Sequence, residues 1–484
     1  MMLRKAIRWI VVVVVLAWLC SALWHANKPL PAGLSVAAPL REAQRVRFLA
    51  DVTFVDAAGQ RHSEQAIFDE AFAMIAQARK LIVIDMFLFN EQAGASSEPL
   101  RRLSGELTQT LLQRLRAQPD LLVVVITDPV NTVYGGQPAP HLEALQRAGA
   151  QVVTTDLAAL RASNPLWSGA WQLCCRWLGN DPGPGWLPNP LGAGKTTLRS
   201  WLALPNFSAN HRKTLVVDEG DGFAALVTSA NPHDASSAHG NVALRFSGTA
   251  ALDVLETEWA VLAFSDPKAA ELGALMRRAK AWSHAPDAEA PRVQVLTEAK
   301  IRDALVGAID SAQSGEQLDV AVFYLAHRGV IEALRAAQAR GVELRVLLDP
   351  NRDAFGREKN GVPNRPVARE LVAAGIPVRW CDTHGEQCHA KLLLKRRRDG
   401  QAELIVGSAN FTRRNLDDLN LETSVRLIAS GDADPIRQAS QWFESQWSNA
   451  PQRGFSVPYD TYADASWLKR VQYRIGEAFG LSTW

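Results

Sequence analysis

The chain carries the same folding unit twice, and this repetition constrains its architecture more than any other feature. Residues 78–90 (ARKLIVIDMFLFN) correspond to 315–327 (GEQLDVAVFYLAH), and 121–131 (LLVVVITDPVN) to 342–352 (VELRVLLDPNR). The second pair places Asp128 and Asp349 at equivalent strand ends, and 149–156 (GAQVVTTD) then corresponds to 375–382 (GIPVRWCD). Each stretch is a short β-branched or aromatic run following a helical pattern, which reads as a strand. NHRKTLVVD (210–218) and CHAKLLLKR (388–396) come next, followed by VTSANPHD (227–234) and VGSANFTR (406–413). Alternating strands and helices that end in a hairpin-like pair predict a layered α/β fold. At 484 residues the chain exceeds one ordinary core. Two homologous α-β-α lobes are therefore expected, over 46–282 and 293–450. TEWAVLAF (257–264) and RQASQWFESQW (437–447) serve as their closing helices, and SHAPDAEAPR (283–292) as the join.

The halves differ by an insertion at 158–206, which holds Trp167, Trp171, Trp177, Trp186 and Trp201 among Pro and Gly. A loop of that length inside a compact domain is usually functional. Within it, NPLGAGKTTL (189–198) approaches a phosphate-binding loop, but Asn189 stands where the fingerprint needs Gly and no strand precedes it, so no nucleotide site is expected. Residues 451–484 form a tail. Its end, WLKRVQYRIGEAFGLSTW (467–484), reads either as an interfacial helix or as a helix packed on the lobes.

Residues 1–26 hold an unbroken apolar run from Trp9 to Trp24 behind Arg4, Lys5 and Arg8. The run reads as a membrane anchor, with a cleaved signal segment as the alternative. The basic residues ahead of it favour a cytoplasmic N-terminus. The body then lies on the outer, periplasmic side of an inner membrane that the chain crosses once. There Cys381 and Cys388 are candidates for a disulfide. A zinc site from Cys381, His384, Cys388 and His389 is the competing reading, and its spacing fits no established pattern. Basic and acidic residues nearly balance, 52 against 50, so the chain lacks the overall basic field of a dedicated nucleic-acid binder.

Residues i and i+2 of a strand share a face, so His211 projects with Lys213 and His389 with Lys391. A histidine can attack phosphorus or pass a proton near neutral pH, and a lysine beside it supplies fixed charge for phosphate oxygens. The doubled pattern resembles the phospholipase D superfamily with its repeated HKD motif. His211, Lys213 and Asp218 match the first copy, with Ser229 and Asn231 from TSAN. His389 and Lys391 match the second, with Ser408 and Asn410 from GSAN, while Asn241 and Glu422 stand where the family carries Asn or Glu.

The second copy departs from the motif at Arg396, which replaces the Asp. Asp218 lies at an odd offset from His211 and is expected to face away and organise the turn DEGDG. The second copy keeps its own Asp399-Gly400 turn, so Arg396 is not expected to remove a catalytic group.

The resemblance implies two phospholipase D-type lobes about a pseudo-twofold axis and one active site between them, complete in a monomer. It implies a phosphohistidine intermediate, His211 as nucleophile and His389 as acid. Lys213, Lys391, Ser229, Asn231, Ser408 and Asn410 would hold phosphate oxygens, with Asn241 and Glu422 in support. No metal or cofactor is required. The expected substrates are membrane phospholipids, in the manner of a cardiolipin synthase or a phospholipid hydrolase. A nuclease acting on nucleic-acid phosphodiesters is the alternative, for which KRRR (395–398) is the only basic run. A catalytically silent membrane scaffold is a third reading, resting on Arg396 alone.

Overall fold

The computed structural model describes every residue except 1, 93–99, 184, 267–289, 355–356, 452 and 483. Most of the proposed join at 283–292 thus lies outside the described residues.

An N-terminal helix, α1 (Met2–Asn27), precedes two mixed sheets. The first lobe contains β1 (Gln44–Asp56), α2 (Ile67–Gln77), β2 (Leu81–Met86), α3 (Leu103–Ala117), β3 (Leu122–Thr127), α4 (Pro140–Arg147) and β4 (Gln151–Thr154). After an inserted helix, α5 (Pro165–Cys174), it continues with β5 (Lys213–Glu219), β6 (Gly222–Thr228), β7 (Asn241–Ser247) and α6 (Thr249–Ser265). The second lobe repeats the plan with β8 (Arg292–Thr297), α7 (Ala299–Asp310), β9 (Gln317–Val322), α8 (Arg328–Ala339), β10 (Glu343–Leu348), α9 (Asn364–Ala373) and β11 (Val378–Cys381). It closes with β12 (Lys391–Arg396), β13 (Gln401–Gly407), β14 (Thr423–Ser430) and α10 (Asp434–Ser448), followed by β15 (Ser456–Pro458) and α11 (Trp467–Phe479).

Strand order is β1-β7-β6-β5-β2-β3-β4 in the first sheet and β8-β14-β13-β12-β9-β10-β11 in the second, which is one plan used twice. β2, β3 and β4 run parallel, as do β9, β10 and β11, and the other pairs named in this order are antiparallel. The parallel strands are covered on both faces, which explains their continuous apolar runs LIVI and VVVI. One core lies beneath α2, α3 and α4 and a second beneath α7, α8 and α9. The third and largest joins the inner faces of both sheets, with α6 and α10 between them. α6 reaches across to β8 and α10 to β1, so each closing helix packs on the other lobe.

The ends of the chain are built into the lobes. Arg41–Glu42 pairs with β8 in the second sheet, Arg453–Gly454 with β1 in the first, and β15 with β11. The segment read as a separate tail therefore supplies edge strands to both sheets and covers otherwise open backbone. The glycine-rich stretch NPLGAGKTTL folds as a small hairpin, Leu187–Pro188 against Lys195–Thr196, ahead of a six-residue helix. Cys174 is joined to Cys175, and Cys381 to Cys388. The second bond removes both thiols that a zinc site would have used.

Candidate active site at the lobe interface

Each histidine is carried on a loop that leads into the antiparallel centre of its sheet, and two features hold that loop in both lobes. A buried strand-end aspartate grips the residue before the histidine. Asp128 accepts the Asn210 N–H at 2.7 Å and Asp349 the Cys388 N–H at 2.8 Å. Each also accepts from its own following turn, Val130 N–H and Asn351 N–H, both at 2.7 Å. The other lobe then pairs with the loop backbone. His211 N–H donates to Leu421 O at 2.9 Å and His389 N–H to Gly240 O at 2.7 Å. Neither histidine is thus positioned by its own lobe alone.

The residues after Leu421 and Gly240 are Glu422 and Asn241, and each faces the histidine of the opposite lobe. Glu422 Oε1 lies 2.9 Å from His211 Nδ1, a close ion-pair contact without linear hydrogen-bond alignment. Asn241 Oδ1 lies 3.1 Å from His389 Nδ1. Both contacts leave the Nε2 edges available to a reacting group. Lys213 Nζ donates to His211 O at 2.7 Å and Lys391 Nζ to His389 O at 2.6 Å, which ties each lysine to its histidine. All four side chains are nearly inaccessible, with residue exposures of 8 % or less.

Burial dominates the electrostatics. It lowers His211 to about 4, against the opposing pull of Glu422. Burial likewise takes His389 well below the usual histidine range, helped by Lys391, His239, Lys213 and His211. Lys213 falls to about 7 through desolvation, and Lys391 falls well below its usual range through burial and then the neighbouring Lys213. Four groups able to carry positive charge are thus buried together, and among the described residues Glu422 is the carboxylate in direct contact with one of them. An entering phosphate anion would restore the charge balance and favour protonated lysines and one protonated histidine.

The remaining motif residues divide by position. Asn231 Oδ1 accepts the Leu88 N–H at 3.2 Å, while the Asn410 side-chain oxygen is buried without a hydrogen-bond partner among the described residues. Ser229 and Ser408, expected on phosphate oxygens, lie a layer behind. Ser229 Oγ donates to Asn241 Oδ1 at 3.0 Å and accepts from Val242 N–H at 3.0 Å. Ser408 Oγ donates to Glu422 and accepts from Thr423 N–H at 3.0 Å. Both are fully buried, so they orient Asn241 and Glu422 rather than face a ligand.

Asp218 does face away from His211, but it does not organise the turn that follows. Its carboxylate accepts the backbone N–H groups of Arg79, Lys80 and Leu81 and closes the entry into β2. The turn itself falls on Gly220 and Asp221, with the left-handed φ of +62° at Gly220 rather than at Gly222. Arg396 occupies the equivalent place and pairs with buried Asp319, which Arg345 also grips at 2.7 Å.

Several site residues escaped the sequence reading. Phe87 and Phe323 occupy equivalent positions just after β2 and β9. Their rings lie 4.8 and 5.0 Å from the His211 and His389 rings, and the lysine ammonium groups sit 5.1 and 5.5 Å from the same two rings. The correspondence of 78–90 with 315–327 set Phe87 against Tyr324, one residue out of register: the strand pairing of Met86 with Lys213 and of Val322 with Lys391 aligns DMF with AVF. Arg212, between His211 and Lys213, is wholly buried and spans the lobes to Glu298 at 2.8 Å and to Glu258 at 3.6 Å. Glu298 Oε1 in turn accepts the Glu422 N–H at 3.1 Å. No local pattern marked this link, because its partners are distant in sequence.

The family described as "Cardiolipin synthase, PLD-like domain" matches residues 305–447, within the second lobe. The second lobe is thus similar in sequence to a phospholipase D-like domain. Over the whole chain, the crystal structure of phosphatidylserine synthase from Haemophilus influenzae Rd KW20 superposes with a TM-score of 0.57 at 11% identity. That match covers 95% of this chain and 97% of that one, and shows the two-lobe phospholipase D fold. The phospholipase D family member Nuc from Salmonella typhimurium aligns at 22% identity over 34% of this chain and 97% of its own, with a TM-score of 0.26. No curated relative matches the chain in sequence.

Proposed function

We propose that the protein is a phospholipase D-type phosphodiesterase or phosphatidyltransferase acting on membrane phospholipids through a phosphohistidine. The observation that carries this reading is the reciprocal arrangement of the two histidines, each held by its own lobe's aspartate and backed by the opposite lobe's Glu422 or Asn241.

In this reading His211 is the nucleophile. Its Nε2 forms a bond to phosphorus as the phosphorus–oxygen bond to the leaving alcohol breaks. Glu422 behind Nδ1 stabilises the positive charge that develops on the ring. Protonated His389 gives its Nε2 proton to the leaving oxygen. It then takes a proton from water or a second alcohol, whose oxygen displaces the histidine and restores His211. Lys213 and Lys391 neutralise the phosphate oxygens throughout, and Asn231 and Asn410 line the same end of the site. No step calls on a metal or cofactor.

The substrate class follows from the surroundings of the site. α1 is long and apolar enough to cross a bilayer and is exposed along nearly its whole length. The basic residues ahead of it and the two disulfides support an outer, oxidising location for the lobes. The basic run KRRR, by contrast, is largely neutralised from within. Lys395 lies near Glu316, Arg396 near Asp319 and Arg397 near Asp399, which weakens the run as a phosphate-backbone patch and favours the phospholipid reading.

A mass-spectrometric product profile tests the proposal. Full-length protein in lipid micelles is offered phosphatidylglycerol, phosphatidylethanolamine and a short single-stranded oligonucleotide, with His211→Ala as control. Cardiolipin or phosphatidic acid that disappears in the variant is the expected result, and it separates transfer from hydrolysis. Intact lipids beside a shortened oligonucleotide would overturn the lipid reading.

A further inference from the structure

Large exposed apolar side chains outside α1 collect in two places. On α11, Trp467, Leu468, Val471, Ile475 and Phe479 are all exposed, and at 100° per residue they fall within one third of the helix circumference. The opposite face is anchored to the second lobe, with Tyr473 Oη donating to Ala326 O at 2.7 Å and Glu477 accepting Arg413 N–H at 2.7 Å. The inner face therefore packs while the outer stripe has nothing on it. The second group, Leu166, Leu173, Trp177, Trp186 and Trp201, lies in the insertion.

The two groups meet at the start of α5, which packs on α1. Gly480, at the end of α11, sits so close to Ser163 that a Cβ there would lie 1.8 Å from its carbonyl oxygen, and Ser163 directly precedes α5. α5 in turn packs along the last turns of α1. Trp18 Nε1 donates to Leu166 O at 2.7 Å, Ser21 Oγ to Gly169 O at 3.2 Å, and Ala162 N–H to His25 O at 2.8 Å. Gly169 permits this approach, since a Cβ there would come within 2.8 Å of the Ala22 backbone. From Trp18 to His25 is about 10 Å of helix. Exposed apolar residues of α5 thus sit at the depth of the outer end of a membrane-crossing helix.

We infer that the stripe on α11 and the exposed face of the insertion form a second, interfacial membrane contact, seated in the leaflet that receives the outer end of α1. Isolated apolar residues on a surface need no partner, but two apolar groups joined at the start of α5, which itself packs on a membrane helix, are matched by lipid in chemistry and in position. A cavity of about 210 Å³ lies between this face and the loop that carries His211, lined by Trp171 of α5, Lys28 and Ser208 among others. Resting on the phospholipid reading above, the contact holds the cleft against the bilayer, so that a lipid substrate reaches it without leaving its leaflet.

Fluorescence quenching in proteoliposomes tests the contact without reference to activity. In a Cys20→Ala background, full-length protein carries a bimane label at Val471→Cys, at Ile475→Cys, or at the control Asp120→Cys, which sits in the exposed turn before β3 at the far end of the sheet. Acyl-brominated phospholipid is expected to quench the labels at 471 and 475 at least twofold and to leave 120 unaffected, with aqueous iodide showing the reverse. Iodide quenching at 475 equal to that at 120 would overturn the inference. So would protection of 475 from both quenchers together with cross-linking to a second copy. A Val471→Ser, Ile475→Ser double variant is then expected to lose about tenfold in activity on vesicles while keeping its activity on monomeric short-chain phospholipid. Inactivity of the unmodified protein on every phospholipid would instead sink the functional reading and leave the quenching result standing.

Discussion

The two lobes secure their histidines at the same point by different chemistry. In the first, the Asn210 side chain donates to both Asp85 oxygens at 2.8 and 2.9 Å and to the Thr155 hydroxyl at 2.9 Å. In the second, the equivalent of Asn210 is Cys388 and the equivalent of Thr155 is Cys381, and the tie is a disulfide. The contrast extends further along the loop. Arg212, Glu258 and Glu298 form a buried ionic link behind the first histidine, whereas Ala390 stands in the place of Arg212 in the second, and Ala321 in the place of Asp85. The parts shared by both lobes are those that fix the backbone, namely Asp128 with Asp349 and the reciprocal pairing with Leu421 and Gly240. What fills the space behind them is free to differ, provided that every buried polar group finds a partner.

The largest expected effect comes from breaking the ionic side. Arg212→Ala leaves Glu298 and Glu258 facing a dry interior, which costs about 3–5 kcal/mol and reads out as a lower thermal midpoint. A shift indistinguishable from that of Ala390→Ser would mean that the network carries no special weight.

Acid should expose what both lobes have in common. His211 holds its proton only below about 4 in the folded chain but near 6.5 when unfolded, so the unfolded state binds the proton first as pH falls. The stabilisation is complete above pH 6.5 and is lost as pH falls toward 4. It amounts to roughly 3 kcal/mol for His211, and His389 acts in the same direction. Thermal midpoints between pH 7 and 4.5 check this. Burial raises Asp128 and Asp349 to about 7, which works in the opposite direction over this range, so the check is the difference between the unmodified protein and His211→Ala. The variant should lose less stability on acidification, and identical profiles would contradict the burial of His211.

The covalent side yields to reductant. Opening an eight-residue disulfide loop costs about 2–3 kcal/mol on the chain-entropy account. Faster amide exchange is expected at 387–391 after reduction, with 209–213 unchanged. Equal loosening of both loops would erase the distinction between the ties.

Much of this was legible in the sequence, for physical reasons that can be named. The repeat exposed the succession of strands and helices because parallel core strands are apolar on both faces, whereas their order in the sheet came only with the structure. The spacing of His and Lys was read as one face of a strand, whereas each lysine opens its strand and each histidine lies on the loop before it. Asn241 and Glu422 were noted from position alone, yet their crossing to the opposite histidine depends on how the lobes dock, which no local pattern encodes. Ser229 and Ser408 resemble ligand-facing hydroxyls in sequence, and only burial shows that they serve their neighbours. The adjacent Cys174 and Cys175 gave no pairing signal. The tail from 451 looked separate because two- and three-residue edge strands leave almost no periodicity to read.

The smallest effect is expected at the departure from the motif. Arg396→Ala should cost under about 1 kcal/mol and leave turnover within twofold, because Arg345 still holds Asp319. Asp218→Ala strips the partner from three backbone N–H groups and should destabilise by more. Loss of activity in the Arg396 variant would return that position to the chemistry.

The central claim is that one histidine from each lobe completes a single site, with distinct roles. A phospholipid analogue with a p-nitrophenol leaving group, which needs no proton on departure, tests it most directly under alkaline quench. The His389→Ala variant is predicted to release a burst of p-nitrophenolate and to accumulate a phosphatidyl adduct that peptide mass spectrometry assigns to His211, while His211→Ala does neither. Turnover of the analogue by His211→Ala at the unmodified rate would contradict the account.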